Sequence, residues 1–289
     1  MKFAVLGGDM RILKLTGLLA ADGHSVHVFG MDRMPPEPGV IQSETLQEAC
    51  SGAAAVLLPL PATNGQGSVT SPLSSRILPC EAALQAVELG CPVLAGRITP
   101  DLAQAARKAE SRLTDYFLRE ELIVANAAAT AEGAIQLLME ETDACILGLR
   151  VLVIGYGRIG KLTAHRLRAM GAEVTVSARK CADIAWIRAM GYTPAETGAL
   201  EDVLGSFDAV VNTVPALVLD EARLMRLRQD CVCIDLASKP GGLDFAAASR
   251  LGLRAVWALG LPGEVAPRAA AAAIREAVYN ILREGGDAL

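Results

Sequence analysis

Gly155, Gly157 and Gly160 stand in the spacing G-x-G-x-x-G, with Tyr156, Arg158 and Ile159 between them. They follow the apolar run Val151-Leu152-Val153-Ile154 and precede a helical pattern. Strand, tight turn and helix in that order hold a dinucleotide: the first glycine makes the turn, the second admits a pyrophosphate to the backbone, and the third brings helix and strand together. The phosphates then meet unpaired N–H groups at a helix N-terminus. About twenty residues further on, where an NAD enzyme carries an acid for the ribose 2′-hydroxyl, the run Ala172–Ser177 ends in Ala178-Arg179-Lys180. Ser177, Arg179 and Lys180 offer a hydroxyl and two cations, which suit a 2′-phosphate. The expected cofactor is therefore NADP(H) rather than NAD(H). Ligands of open α/β sheets lie beyond the carboxyl ends of the strands. Two further strand ends, Thr213-Val214-Pro215 after Asn212 and Leu236-Ala237-Ser238 after Asp235, are thus expected beside the nicotinamide.

A hydride-transfer site also needs a group to handle a proton. The 2-hydroxyacid dehydrogenases, which share a two-domain plan of this kind, use a His beyond the last strands. Here the histidines are His24, His27 and His165, all too early in the chain. The carboxylate-binding Arg of that class would fall near Ser238 and is missing too. No Ser/His/Asp or Cys/His arrangement supports a nucleophilic triad. The seven Cys lack C-x-x-C spacing, and Cys231 and Cys233 alternate onto one face of a strand, so buried reduced thiols are expected rather than a metal or redox centre.

The elements that position these residues alternate along the whole chain. Strand, turn and helix are expected at Lys2–Leu6, Gly7-Gly8 and Met10–Ala21, then at Ser25–Phe29, Thr45–Cys50, Ala54–Leu60, Glu81–Leu89, Pro92–Ala95 and Pro100–Ala109. Alternation of this kind implies parallel sheets with helices on their faces. The stretch 61–79, rich in Gly, Ser, Thr and Pro, reads as a long loop of the functional kind. An Ala-rich connecting helix is expected over Ala127–Leu147. Strands restart at Arg150–Ile154, Ala172–Ser177, Ala209–Thr213, Val232–Leu236 and Ala255–Ala258, and a last helix spans Pro267–Arg283. The expected fold is α/β: two doubly wound parallel-sheet domains, the second a Rossmann dinucleotide-binding domain, joined by long helices with a cleft between them. The boundaries are 1–126 plus 268–289 for the substrate-side domain and 127–267 for the NADP-binding domain. With 289 residues, 52% hydrophobic, 20% charged and a net charge of −5, disorder and disulfide scaffolds are excluded. Neither nucleic acid nor a membrane is an expected partner, since no basic cluster stands out and no apolar run approaches the ~18 residues of a span. Aromatics make up only 4%, so packing must rely on Ala and Gly.

Beyond the dinucleotide motif, several segments carry a more specific resemblance. Gly7-Gly8-Asp9-x-Arg11, Leu58-Pro59 leading to Thr63-x-Gly65-x-Gly67, and Gly155-x-Gly157-Arg158-x-Gly160 are followed by Asp235-Leu236-Ala237-Ser238-Lys239-Pro240-Gly241-Gly242-x-Asp244-Phe245. Gly260-Leu261-Pro262-Gly263-x-Val265-Ala266-Pro267 completes the series. In this order, over essentially the whole chain, they resemble the dipicolinate synthase A chains of spore-forming bacteria. Lys239 stands where that family has Arg, so a carboxylate bound at this position would meet a point charge in place of a bidentate pair. The resemblance implies a cytoplasmic, mother-cell oxidoreductase that works with a second, flavoprotein-like dipicolinate synthase B chain and also forms a homo-oligomer. With NADP it would convert 4-hydroxy-tetrahydrodipicolinate, a lysine-pathway intermediate, to dipicolinate. A substrate with two carboxylates asks for two anion sites. The candidates are Arg11, Thr63, Asn64, Gly65 and Arg97 in the first domain, then Asn126, Thr130 and Gly263. Glu132, Ser238 and Lys239 are the candidates for catalysis. Two other readings stay open: a nucleotide-binding regulatory or scaffold protein with the chemistry in its partner, or a dehydrogenase of a small 2-oxo, 2-hydroxy or amino acid.

Overall fold

The apolar runs build two parallel sheets in the computed structural model, which describes residues 1–286. The first unit contains β1 (Lys2–Leu6), α1 (Met10–Ala21), β2 (Ser25–Phe29), β3 (Val40–Gln42), α2 (Leu46–Cys50), β4 (Ala55–Leu57), α3 (Cys80–Gln85), β5 (Pro92–Ala95), α4 (Pro100–Lys108) and β6 (Arg112–Asp115). Helix α5 (Glu120–Glu141) follows. The second unit continues with β7 (Arg150–Ile154), α6 (Arg158–Ala169), β8 (Glu173–Ala178), α7 (Cys181–Ala189), β9 (Thr193–Glu196), β10 (Ala209–Asn212), α8 (Glu221–Leu224), β11 (Val232–Asp235), α9 (Phe245–Arg250), β12 (Arg254–Trp257) and α10 (Leu261–Val265). Helix α11 (Pro267–Glu284) ends the described chain. Residues 1–126 and 266–286 form one compact unit and residues 127–265 the other; positions 287–289 of the expected first domain lie outside the described residues.

Both sheets have six strands among the described residues, in the orders β3-β2-β1-β4-β5-β6 and β12-β11-β10-β7-β8-β9. Each is the doubly wound order in which the chain reverses direction across the sheet beside its first strand. The crevice at that reversal, beyond the carboxyl ends of the strands, is where such sheets take ligands. The expected α/β class with a Rossmann second domain is therefore the observed one. In the first unit the reversal falls between β1 and β4, in the second between β7 and β10.

Strands buried on both faces read as continuous apolar runs, and these, with the edge strand β12, are the ones visible in the sequence. β3, β6 and β9 are strands beyond those expected. They are sheet edges with polar or half-exposed residues, so no apolar run marks them. β4 is shorter than the expected Ala54–Leu60, because pairing ends at Leu57 ahead of the bend at Leu60-Pro61. Helix α5 lies earlier than the expected 127–147. Its first turn carries Glu120 and Glu121, where carboxylates suit the helix dipole, and it stops before the Thr142-Asp143 turn. Among the described residues it is the helix long and apolar enough to cross a membrane by length and composition, though Asn126, Thr130, Glu132 and Gln136 divide it into short apolar runs. Leu122 lies in the core of the first unit, and Ala134, Ile135 and Leu138 lie in the core of the second.

Small residues do the close packing. In the second unit, a Cβ on Gly133 of α5 would sit 3.2 Å from Leu261 and Val265. In the first, Ala271, Ile274, Ala277 and Val278 of α11 pack with Ile12, Leu15 and Leu19 of α1 in one buried cluster. The 61–79 stretch is a loop, yet a pinned one. Thr63 bridges Val69, Ser68 bridges Pro79, and the Asp32 carboxylate accepts from the Ser74 hydroxyl at 3.0 Å and the Ser75 N–H at 3.0 Å.

Candidate functional site

At the reversal of the second sheet, β7 enters its glycine turn and α6 leaves it. A Cβ on Gly160 would lie 2.1 Å from the Gly155 carbonyl oxygen, so only glycine lets the first turn of α6 cross the end of β7. Gly155 has φ +99°, and a Cβ there would meet the Thr213 hydroxyl at 2.5 Å. Gly157 is different: no protein atom comes within 4 Å of a Cβ built on it, and its φ of −78° suits any residue. Its lack of a side chain leaves the backbone open to an approaching group. Gly157 is also the N-cap of α6 and gives the helix no side-chain cap, so the first-turn amides have no carboxylate or hydroxyl of that residue to satisfy them. Together these features fit a pyrophosphate. Tyr156 lies half-buried under the Lys161 ammonium, 5.1 Å from its ring centre, with its hydroxyl pKa raised by burial. Ile159 packs on the core, and Arg158 is exposed.

Beside this turn, Ala178, Arg179, Thr197, Gly198, Val214 and Arg223 line a pocket of about 430 Å³. Arg179 and Lys180 are exposed at the end of β8, as a 2′-phosphate contact requires. Ser177 departs from expectation. It is fully buried, its hydroxyl accepts from Thr197 Oγ1 at 3.2 Å, and it offers nothing at the strand end. Ala178 is likewise buried. Glu196, paired with Ala178 across the sheet, adds an acid to the same pocket that is absent from the candidates read off the sequence. It lies at the end of an edge strand without an apolar signature, so nothing in the sequence places it near Arg179.

A buried polar pair organises the other two strand ends. Asn212 and Asp235 end β10 and β11, and both are fully buried. The Asp235 carboxylate accepts from Asn212 Nδ2 at 2.7 Å, from the Ala237 N–H at 3.0 Å, from Gly242 at 2.7 Å and from Leu243 at 3.3 Å. Asn212 in turn donates to the Val214 carbonyl and accepts from its N–H. One carboxylate thus gathers the 235–243 loop, and one amide fixes the 212–214 turn against it. A Cβ on Gly242 would fall 2.2 Å from Asn212 Nδ2, which accounts for that glycine. Asn212 and Asp235 are visible in the sequence as polar ends of apolar strands, which is the signal that could have marked them.

Several expected contacts are thereby spent or restricted. Thr213 donates its hydroxyl to the Ile154 carbonyl at 2.9 Å. Leu236 and Ala237 are buried, their N–H groups donate to the Asn212 carbonyl and the Asp235 carboxylate, and the Ala237 carbonyl accepts from Trp257 Nε1. Pro215, Ser238 and Lys239 are exposed, and the Ser238 carbonyl accepts from Gly241. Glu132 is 62% exposed and pairs with Arg166 at 3.1 Å. Thr130 is buried and Asn126 half-buried on α5, each engaged within the fold. Gly263 lies inside α10.

In the first unit, Thr63 and Gly65 come together with Thr99, Gly67 and Lys108 around a pocket of about 430 Å³, with 3.4 Å between the Thr63 and Thr99 hydroxyls. Asn64 folds back to accept from the Gln66 N–H. Arg11 departs from its expected role as an anion contact. Its guanidinium is bound to Asp9 at 2.6 Å and to the Leu60 carbonyl, and only 12% of the side chain is exposed. Arg97 is exposed beyond β5. His24 stacks edge-on with Phe3 and Tyr279, burial lowers its pKa and that of His27, and His165 sits on the exposed side of α6. Cys231 and Cys233 share one buried cluster.

Comparison with known proteins matches this geometry. Residues 2–117 match the family described as the N-terminal domain of the dipicolinate synthase A chain, and residues 140–237 match the NAD-binding domain of D-isomer specific 2-hydroxyacid dehydrogenases. The sequence is 32% identical to the dipicolinate synthase A chain of Bacillus subtilis (strain 168), over 98% of this protein and 96% of that one. The crystal structure of the dipicolinate synthase A chain from Bacillus halodurans superposes with a TM-score of 0.88 at 32% identity, covering 97% of each protein. A transhydrogenase from Sinorhizobium meliloti shares the fold alone, with a TM-score of 0.71 at 17% identity over 94% of this protein and 88% of that one. A nicotinamide dinucleotide-binding unit of dehydrogenase type is thus joined to a family-specific N-terminal unit, and the protein belongs to the family of dipicolinate synthase A chains.

Proposed function

We propose that the protein is the NADP-dependent component of an oxidoreductase that converts 4-hydroxy-tetrahydrodipicolinate to dipicolinate in the mother-cell cytoplasm, together with the flavoprotein-like B chain. The carrying observation is that the 32% identity to a dipicolinate synthase A chain runs over 98% of the sequence. Kinship therefore covers the first unit as well as the dinucleotide-binding unit that many dehydrogenases share. The reaction removes water from a cyclic imine dicarboxylate, then a hydride and a proton, and aromatisation of the ring supplies driving force. NADP, when bound, supplies the hydride acceptor, and the protein's own task is to orient the ring and handle the proton. Arg179 and Lys180 are the residues that favour NADP.

For the dicarboxylate, Arg97 with Thr63, Asn64 and Gly65 offers one anion contact, and Ser238 and Lys239 with Gly263 another; Asn126 and Thr130 stand between these groups in sequence. Lys239 is the better candidate for proton handling, since the Glu132 carboxylate is held by Arg166. Glu196 favours a second reading, with NAD as cofactor, because an acid in the ribose pocket accepts from a 2′-hydroxyl and repels a 2′-phosphate. The test is an absorbance assay for the pyridine dicarboxylate with freshly generated substrate, run with NADP and with NAD, with and without the B chain. Dipicolinate formed preferentially with NADP is the expected result. Turnover of simple 2-hydroxy acids instead, or dinucleotide binding without any oxidation even when the B chain is present, overturns it.

A further inference from the structure

Two non-glycine residues among the described ones have left-handed backbone, Arg97 (φ 60°) and Glu110 (φ 52°). For a residue with a bulky side chain this conformation is unfavourable, and it persists only where the surroundings enforce it. Glu110 follows the C-cap of α4 and donates its N–H back to the Arg107 carbonyl, so helix termination accounts for it. Arg97 follows no helix. It comes immediately after β5 and Gly96, at the carboxyl edge of the first sheet.

What enforces it is Asp115, the last residue of β6, which pairs with Ala95 across the sheet. Its carboxylate accepts from the Arg97 N–H at 3.0 Å and the Ile98 N–H at 2.8 Å, one on each oxygen, and from the Phe117 N–H at 2.8 Å. On the other side Gly96 donates to the Pro59 carbonyl and accepts from the Ala62 N–H, and a Cβ on it would lie 2.7 Å from Leu60 and from the Tyr116 ring. The turn is therefore held from both flanks. The Asp115 oxygens are taken up by backbone amides rather than by the Arg97 guanidinium. That guanidinium is exposed and has no hydrogen-bond or carboxylate partner among the described residues. Two residues on, Thr99 caps α4 and meets Thr63 at the neighbouring pocket.

We infer that Asp115 is a positioning residue, which fixes Arg97 in the left-handed conformation so that its guanidinium stands ready to take a substrate carboxylate in a bidentate pair. This rests on the reading of Arg97 as a substrate contact. Arg97→Gly, Asp115→Asn and the double variant, each as the full-length protein with the B chain, separate the two claims. Glycine adopts this backbone freely, so Arg97→Gly keeps the fold while KM for the dicarboxylate rises about tenfold, the loss expected for one charge-assisted pair, and the NADP dissociation constant does not move. Asp115→Asn raises KM several-fold with the same cofactor constant, and the double variant is no worse than Arg97→Gly alone, since Asp115 acts only through Arg97. Ile98→Pro removes one of the N–H groups that Asp115 gathers and perturbs residue 97 from the other side; it reproduces the KM rise even where Asp115→Asn does not fold. An unchanged KM in Arg97→Gly defeats the contact reading. A raised KM in Arg97→Gly on which the Asp115→Asn or Ile98→Pro effect multiplies in full leaves the contact reading standing and defeats the positioning role.

Discussion

Replacing Gly157 and Gly160 separately by Ala distinguishes a glycine kept for a ligand from one kept for the fold. At Gly160 the new methyl lies 2.1 Å from the Gly155 carbonyl oxygen, both on backbone that cannot rotate away. Ordinary contact needs roughly 3.5 Å, so α6 or the turn must move by over about 1 Å. Overpacking of this kind costs about 3 kcal/mol at the upper end of its usual range. Ala regains about 1 kcal/mol over Gly inside a helix, which leaves a net loss of about 2 kcal/mol and a fall in Tm of about 4–8 °C for a unit of this size. Gly157 meets nothing within 4 Å and has an ordinary φ. There the reduced entropy of the unfolded chain favours Ala by about 0.4–1 kcal/mol, and the poorer N-cap offsets it by a similar amount. Gly157→Ala therefore leaves Tm within about 2 °C, while its methyl stands where a pyrophosphate must approach and weakens dinucleotide binding at least about tenfold. Differential scanning fluorimetry with and without dinucleotide, together with a fluorescence titration of NADPH, reads both quantities. Undiminished binding by Gly157→Ala would show that the phosphates do not lie on this turn; unchanged stability of Gly160→Ala would refute the close-approach argument.

Three further outcomes are expected. Arg179→Ala weakens NADP binding about tenfold or more and NAD binding little, since only the former loses a charge-assisted phosphate contact; equal losses in the two titrations would remove Arg179 from the 2′-position. Asp235→Asn replaces one acceptor oxygen by an NH2 that faces either the Asn212 and Ala237 donors or those of Gly242 and Leu243, costs about 3 kcal/mol as a broken buried charge network, and lowers Tm by about 6–12 °C in thermal melts. Hydrogen bonding by Ser75, and more weakly by Ser74, holds the Asp32 carboxyl low, at about 2. Its folded pKa lies below the roughly 3.9 of an unfolded chain, so the stabilisation is complete above that value and is lost as pH falls through about 2. Asp32 is exposed, so the effect is local and below about 1 kcal/mol; it is read as hydrogen exchange or proteolysis of residues 68–78, which Asp32→Asn should accelerate at neutral pH.

The buried centre of each sheet was legible because strands covered on both faces are apolar throughout, and because two of the three glycines after β7, Gly155 and Gly160, stand where a Cβ would clash. The edges were not. β3, β6 and β9 satisfy their backbone on one side only and carry residues such as Gln42, Arg112 and Glu196. Without a signal for β6, Asp115 stays hidden, and without one for β9, so do Glu196 and Thr197. Conversely, Arg11 and Ser177 have the chemistry of ligand contacts in the sequence, and lose it to neighbours that sequence spacing does not reveal: Asp9 two residues away and Thr197 on the adjoining strand.

The two sheets have the same strand order, and each sends its first strand into a glycine turn and a helix, yet they are not two equivalent nucleotide sites. In the second unit Gly157 leaves the N-terminus of α6 without a side-chain cap. In the first, Asp9 occupies the equivalent position, its carboxylate accepting from the Arg11 N–H and pairing with the Arg11 guanidinium. A phosphate there would have to displace an anion already satisfied by both the helix end and a cation. The approach is also covered, because a Cβ on Gly7 would touch the Thr70 carbonyl at 3.0 Å and Val69 at the same distance. The acid after β2, Asp32, which stands where a ribose hydroxyl would be held in a nucleotide-binding sheet, is engaged by Ser74 and Ser75 of that same covering loop. The first unit has thus built its own carboxylates and loop into the places where the second keeps room for a dinucleotide. What remains open at its strand ends is the β4–β5 side, where the Thr63 and Thr99 hydroxyls line a pocket and Arg97 is exposed beyond β5, the groups on which the proposed carboxylate contact rests.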